Sequence, residues 1–270
     1  MIGAIIGDFY GSAYEWNNIK TKEFDLTNPR NRCTDDSVMT LAVTDILQNG
    51  DHEDNNNVID TIKKWGLSYP NAGYGSSFLK WLAIGQREPY NSCGNGAAMR
   101  VSACGWYGKD EKEVKRMSLH VTQVTHDHPE GIIGAGVTAM CVYYARIGKS
   151  KDFIKNYASK YYDLNFDYEE LKRTYTHDYE ICQTTVPQAI YCFLISKDFE
   201  DCLRTTISIG GDCDTTAAIS CAIADAFYKD IDQKLIDEVY AHLPEPTEEC
   251  NAKEIFDKAL KFRNEILKKL

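Results

Sequence analysis

The 270-residue chain has little proline, no CxxC pair, no long apolar run and no excess of basic residues. Each shortage excludes something. Seven prolines and no Ser/Gly-rich stretch leave no marked linker, so residues 1–270 are expected to form a single domain. The apolar start Ile2–Ile6 has no basic lead and is far too short for a signal core or a membrane span, which predicts no membrane association. Ten cysteines scattered from Cys33 to Cys250 read as reduced thiols rather than a disulfide frame, and the cytoplasm is the expected location. With 30 Lys and Arg against 40 carboxylates, the net charge is −10. Such a surface repels a phosphate backbone, so non-specific nucleic-acid binding is disfavoured, while a nucleic-acid end carrying a small modification stays compatible.

Apolar residues make up 43% of the chain, enough for a packed core. Their spacing is mostly helical. Met39, Ala42, Val43, Ile46 and Leu47 fall on one face, and Asn49-Gly50 follows as a stop. Ile219, Ala222, Ile223, Ala226 and Phe227 repeat that spacing, and the Ala and Cys around them predict a central, closely packed helix. Phe256, Ala259, Leu260, Arg263, Ile266 and Leu267 predict an amphipathic terminal helix, with Lys268-Lys269 at its negative end. Thr206-Ile207-Ser208-Ile209 alternates and is expected to be a short strand. The charged and aromatic segment Tyr157–Tyr179 lacks a clear period and reads as helix plus surface loop. The expected class is all-α, without internal repeats.

Two acidic clusters stand at apparent helix starts, Thr34-Asp35-Asp36-Ser37 and Asp212-Cys213-Asp214-Thr215-Thr216. Helix capping explains either one alone, because Asp and Thr are favoured at N-caps. A cap needs one oxygen, however, and each cluster supplies two acids and a hydroxyl. Hard cations such as Mg²⁺ want several oxygen ligands, so two helix starts converging could hold two ions. The second cluster also matches DxDxT, a phosphatase nucleophile signature, but the residues after Thr216 read as helix and not as the required α/β sheet. An EF-hand loop fails because Thr216 and Ala217 stand where a ligand and a glycine are needed.

Gly94-Asn95-Gly96 opens a predicted helix and could bring backbone N–H groups to a phosphate, although such a tripeptide is commonly just a turn. Phe78 and Trp81 follow Gly73-Tyr74-Gly75 and could stack on a base, or simply pack the core. Thr125-His126-Asp127-His128 carries a His-Asp pair of the kind used by metal-dependent HD phosphohydrolases. That reading would make His126 and His128 metal ligands and leave both acidic clusters idle.

Taken in order, these blocks resemble the ADP-ribosyl-acceptor hydrolase family, which includes dinitrogenase-reductase-activating glycohydrolase. The likeness runs from Gly3 to about Tyr228. It is carried by Gly7-Asp8, Gly11-Ser12-Ala13-Tyr14-Glu15, Thr34-Asp35-Asp36-Ser37, Gly94-Asn95-Gly96 with Met99-Arg100, Thr125-His126, and Gly211-Asp212-Cys213-Asp214-Thr215. The resemblance implies a compact orthogonal multi-helix bundle with a binuclear centre of two Mg²⁺, Mn²⁺ being the alternative. Its ligands would be Thr34, Asp35, Asp36, Asp212, Asp214 and Thr215, with Asp36 and Asp212 counted beside Glu15 in the catalytic group. Ser92, Gly94, Asn95 and Gly96 would bind the diphosphate and proximal ribose, and His126 the distal part of the ligand. Cys93 stands where the family often has an aromatic, and Cys213 is expected to point away from the cations.

Glu15 in the context GS-x-YE places the chain nearer the serine-type branch than the arginine-type branch. There the matching Glu lies on a flexible flap over the metals, and Gly11 and Ser12 are expected to supply its hinge. The implied reaction is hydrolysis at the anomeric carbon of the distal ribose, through an oxocarbenium-like state. The partners implied are an ADP-ribosylated protein, a modified nucleic-acid end or a small ADP-ribose ester, met by a monomer. A catalytically inactive ADP-ribose-binding protein is the remaining alternative.

Overall fold

In the computed structural model, which describes residues 1–176 and 180–269, fifteen helices follow one another and no strand occurs among the described residues. The N-terminal part holds α1 (Ile2–Gly11), α2 (Asp35–Asn49), α3 (Asn55–Ser68) and α4 (Ser76–Ala83). Two short helices, α5 (Gly96–Met99) and α6 (Ser102–Tyr107), lead into α7 (Glu111–Gln123) and α8 (Pro129–Arg146). Next come α9 (Lys151–Ala158), α10 (Tyr168–Thr174), α11 (Cys182–Ile195) and α12 (Phe199–Ile209). The chain closes with α13 (Cys213–Tyr228), α14 (Gln233–Ala241) and α15 (Ala252–Leu267). The class is all-α, as the periodicity predicts. No helix among the described residues is long and apolar enough to cross a membrane, and all ten cysteines are free thiols.

The centre is α13, buried from Cys213 to Ala226. Its small side chains let α1 approach it along a line of glycines four residues apart, one helical turn each. A Cβ at Gly7 would run into the Ala217 carbonyl, and one at Gly11 would stand 2.6 Å from the Asp214 Cα. This contact lays the start of α13 beside Asp8 of α1. At the far end, Arg263 of α15 donates to Asp225 of α13 at 2.6 Å, while the Gly3 N–H donates to the other oxygen at 3.0 Å. Breaking that buried pair would leave an uncompensated charge, at a cost of about 3–5 kcal/mol.

One expected element is different. Thr206–Ile209 is not a strand but the last turn of α12. Over the whole helix, Phe199, Cys202, Leu203, Thr206 and Ile207 share the buried face at helical spacing, and a four-residue window hides that period. The Tyr157–Tyr179 segment contributes the end of α9, a loop and α10. Its residues 177–179 lie outside the described ones.

Candidate active site

Both acidic clusters do begin helices, and they face one another. At the start of α2, Thr34 is a true N-cap: its backbone is extended and its hydroxyl accepts from the Asp36 N–H at 3.3 Å. The Asp35 N–H donates to the Ala72 carbonyl at 3.0 Å, which presents Asp35 to the cleft. Capping therefore accounts for Thr34 but not for the two acids after it.

At the start of α13 the capping explanation fails. Asp212 occupies the N-cap position without a side-chain capping bond, and its carboxylate instead accepts from Asn95 Nδ2 at 2.6 Å. The preceding Gly210 and Gly211 both have positive φ, 78° and 70°, which a side chain would strain. Their sharp turn aims Asp212 and Asp214 at the α2 terminus. Cys213 points the other way, its thiol reaching the Ile207 carbonyl at 3.7 Å, as expected for a soft sulfur beside hard-cation ligands.

Carboxylate oxygens of Asp8, Asp36 and Asp214 lie within 4.8 Å of one another, and so do those of Glu15, Asp212 and Asp214. Asp214 belongs to both groups. Thr215 Oγ1 donates to Asp36 Oδ2 at 3.1 Å. Sequence reasoning missed Asp8 as a functional residue. It is fully buried and accepts from the Thr34 N–H at 2.9 Å, the Thr34 hydroxyl at 2.6 Å, the Ser37 N–H at 3.0 Å and the Ser37 hydroxyl. A lone carboxylate inside the apolar run of α1 was the available signal, because an unpaired buried charge is otherwise costly.

Glu15 lies just after α1, half-buried at the cleft. Gly11 and Ser12, expected to supply a hinge, are both tightly held here. Gly11 is a close-packing glycine against α13, and Ser12 is fixed by donating to the Phe9 carbonyl and accepting from the Arg32 N–H. A second missed residue, Asn18, ties down the segment after Glu15. Its amide nitrogen donates to the Glu15 carbonyl at 2.9 Å and to the Gly211 carbonyl at 3.0 Å, while its oxygen accepts from the Gly211 N–H at 2.8 Å.

Crowded acids raise one another's pKa, and burial raises them further. Burial, then the charge of Asp8, pushes Asp35 up to about 7. Burial, then Asp212, pushes Glu15 up to about 7, although a hydrogen bond with Asp214 and then the charge of Arg32 oppose this. Asp36 and Asp214 are driven well above the carboxylate range, first by burial and then by neighbouring acids. Asp36 Oδ1 is buried with no hydrogen-bond partner. A vacant buried acceptor among several hard oxygen donors is the chemistry that suits a divalent cation.

The acids line a cleft of about 460 Å³, within the range of small-molecule sites. Ser92, Gly94, Asn95, Gly96 and His126 line the same cleft, with Tyr90, Tyr74, Phe78 and Arg100. Gly94 is held by an isolated antiparallel bridge to Ile181, and Ser92 Oγ accepts from the Gly94 N–H at 3.1 Å. The Tyr90 ring lies 5.8 Å from that of His126, so an aromatic lines the cleft there although Cys93 supplies none. Phe78 lines the cleft, whereas Trp81 is a core side chain.

The HD reading finds no support. His128 is the N-cap of α8, accepting from the Glu130 N–H, and Asp127 accepts from the Asn91 N–H. Neither lines the cleft, and no acidic group able to hold an ion among the described residues includes a histidine.

Comparison with known proteins finds relatives over most of the chain. The family model described as ADP-ribosylglycohydrolase matches residues 1–261. The chain is 27% identical over 307 positions to ADP-ribosylhydrolase ARH3 of Homo sapiens, covering 84% of each chain. It is 25% identical over 209 residues to the ADP-ribosyl-dinitrogen-reductase glycohydrolase of Rhodospirillum rubrum, covering 72% of this chain and 68% of that one. A solved ADP-ribosylglycohydrolase-related protein complex shares the fold with a TM-score of 0.68 at 19% identity, over 97% of this chain and 96% of that one.

Proposed function

Since the chain belongs to the ADP-ribosylglycohydrolase family, we propose that it hydrolyses ADP-ribose from a modified acceptor at the distal ribose anomeric carbon, with two divalent cations bound in the acidic cleft. The observation that carries this reading is the sharing of Asp214 between two groups of carboxylates, one from α1 and α2 and one from Glu15 and Asp212. Thr34, Asp35, Asp36, Asp212, Asp214 and Thr215 are the residues that would hold the ions. Mg²⁺ or Mn²⁺ there would supply Lewis acidity, orienting the ribose hydroxyls and acidifying water.

The chain's own groups serve the remaining needs of the reaction, which are protonation of the leaving group and a placed water. Glu15 is a half-buried carboxyl grouped with Asp212 and Asp214, placed to exchange a proton with a leaving group or water held beside them. Asp36 and Asp212 fix the orientation of the cage. Ser92, Gly94, Asn95 and Gly96 line the same cleft and would grip the diphosphate and proximal ribose, with His126 reaching the distal part of the ligand. Asn95 also donates to Asp212, so it joins this group of residues to the acidic one.

The Tyr14-Glu15 pair favours an O-linked acceptor such as serine. An ADP-ribosylated protein, a modified nucleic-acid end and a small ADP-ribose ester are the acceptor classes that fit, and we read the chain as a one-domain cytoplasmic monomer. The test is incubation with a panel of defined ADP-ribosylated substrates, followed by product analysis. Free ADP-ribose from the serine-linked substrate supports the proposal. Inorganic phosphate as product, or binding of ADP-ribose with no turnover of any substrate, counts against it.

A further inference from the structure

We propose that Thr125 and Arg100 are positioning residues for His126, holding its imidazole as the tautomer with hydrogen on Nε2 and a lone pair on Nδ1. The argument concerns hydrogen-bond directions. Arg100 is fully buried, and a guanidinium only donates. Its Nη2 donates to the Val121 carbonyl at 3.0 Å and to Thr125 Oγ1 at 2.7 Å. The Thr125 oxygen is therefore an acceptor there, and its single hydrogen must go elsewhere.

Two acceptors are within reach of that hydrogen. His126 Nδ1 lies at 2.8 Å and the Thr122 carbonyl at 3.4 Å. The second is long for an O–H···O bond, and that carbonyl already accepts the backbone N–H groups of Thr125 at 3.2 Å and His126 at 2.9 Å. The hydroxyl thus donates to Nδ1. Were the hydrogen on Nδ1 instead, Thr125 Oγ1 would accept twice and its own hydrogen would have only the crowded carbonyl.

The opposite edge of the ring faces the cleft. Nε2 lies 3.3 Å from where a Cβ on Gly96 would stand and 3.6 Å from one on Gly94, so the two glycines make room for it. Burial, and then Arg100, hold the His126 pKa well below its ordinary value, so the ring is neutral and the tautomer decides what it offers. With Nε2 protonated, the cleft receives a donor. Ser92 Oγ, already accepting from the Gly94 N–H, can donate its hydrogen at the same end. Two donors suit an electronegative oxygen of the ligand, and only this last step rests on the function proposed above.

The test uses the full chain labelled with ¹⁵N-histidine. Long-range ¹H–¹⁵N correlation reports the tautomer directly, with His126 assigned through His126→Gln. Expected are Nδ1 in the unprotonated range and Nε2 in the protonated range. Thr125→Val keeps the shape but removes the hydroxyl. It should mix the tautomers and weaken ADP-ribose binding by about tenfold, and Thr125→Ser should restore both. A wild-type spectrum with Nδ1 protonated would overturn the proposal, even if the Thr125→Val variant failed to fold. So would a folded Thr125→Val variant with an unchanged tautomer. Absence of ADP-ribose binding by the wild type, with Nε2 protonated, would sink the functional reading and leave this inference standing.

Discussion

The hydroxyl of Thr215 donates to Asp36 Oδ2 at 3.1 Å, joining the first turn of α13 to the first turn of α2 across 179 positions of chain. This one bond states how the site is made. Two helix starts, each rich in acids, are brought nose to nose because α1 lies so closely on α13.

Asp214 is common to both carboxylate groups, so it should be the least replaceable acid. Asp214→Asn keeps the size and removes the charge. Turnover should fall by about 100-fold or more, the scale of losing the charge stabilisation a metal supplies. Steady-state kinetics across a Mg²⁺ titration checks this, and recovery of wild-type rate at high Mg²⁺ would show a weakened site rather than a lost one.

Asp8 receives four hydrogen bonds from Thr34 and Ser37 and so fixes the α2 terminus from behind. Asp8→Asn should lower divalent-cation affinity by about 10–100-fold, as loss of an orienting partner does. Calorimetric titration with Mn²⁺ measures it. Unchanged affinity would mean that Asp8 is purely a folding residue.

The pH dependence of stability follows from the raised acids. For Asp35, with a folded pKa of about 7 against an ordinary 3.8, the folded state holds the extra proton between those values. Its stabilising contribution is complete below the ordinary pKa and is lost as pH rises through about 7. Glu15 acts in the same direction. Without divalent cations, the melting temperature should therefore fall between about pH 5 and about pH 8, and Mg²⁺ should restore it at the alkaline end. Melting curves in chelator and in Mg²⁺ test this; a cation-free protein equally stable across that range would contradict it.

The approach of α1 to α13 predicts a contrast between two glycines. A methyl at Gly7 meets the Ala217 carbonyl, so Gly7→Ala should destabilise by about 1–3 kcal/mol. Gly136 lies inside α8 with open space around it, so Gly136→Ala should stabilise by about 0.5–1 kcal/mol. Urea denaturation of both variants measures the difference.

Much of this was legible in the sequence because caps and periodicity are local. Thr34 with its two acids and Asp212 with Asp214 announced helix starts, and Ile219 to Phe227 announced the central helix. What stayed hidden depends on packing between distant segments. Asp8 was part of a recognised block but received no role, because its partners, Thr34 and Ser37, lie far along the chain. Gly11 read as a hinge because flexibility and close approach call for the same residue, and only the position of Asp214 decides between them. Thr206–Ile209 read as a strand because four residues cannot separate a period of two from one of 3.6.

The central claim is that both helix starts serve one pair of ions. Electron paramagnetic resonance of the protein titrated with Mn²⁺ addresses it most directly, since two ions sharing a carboxylate are magnetically coupled. The account predicts two Mn²⁺ per chain with a coupled spectrum, collapsing in both Asp36→Asn and Asp214→Asn. Two independent ions, or a spectrum that survives either substitution, would contradict it.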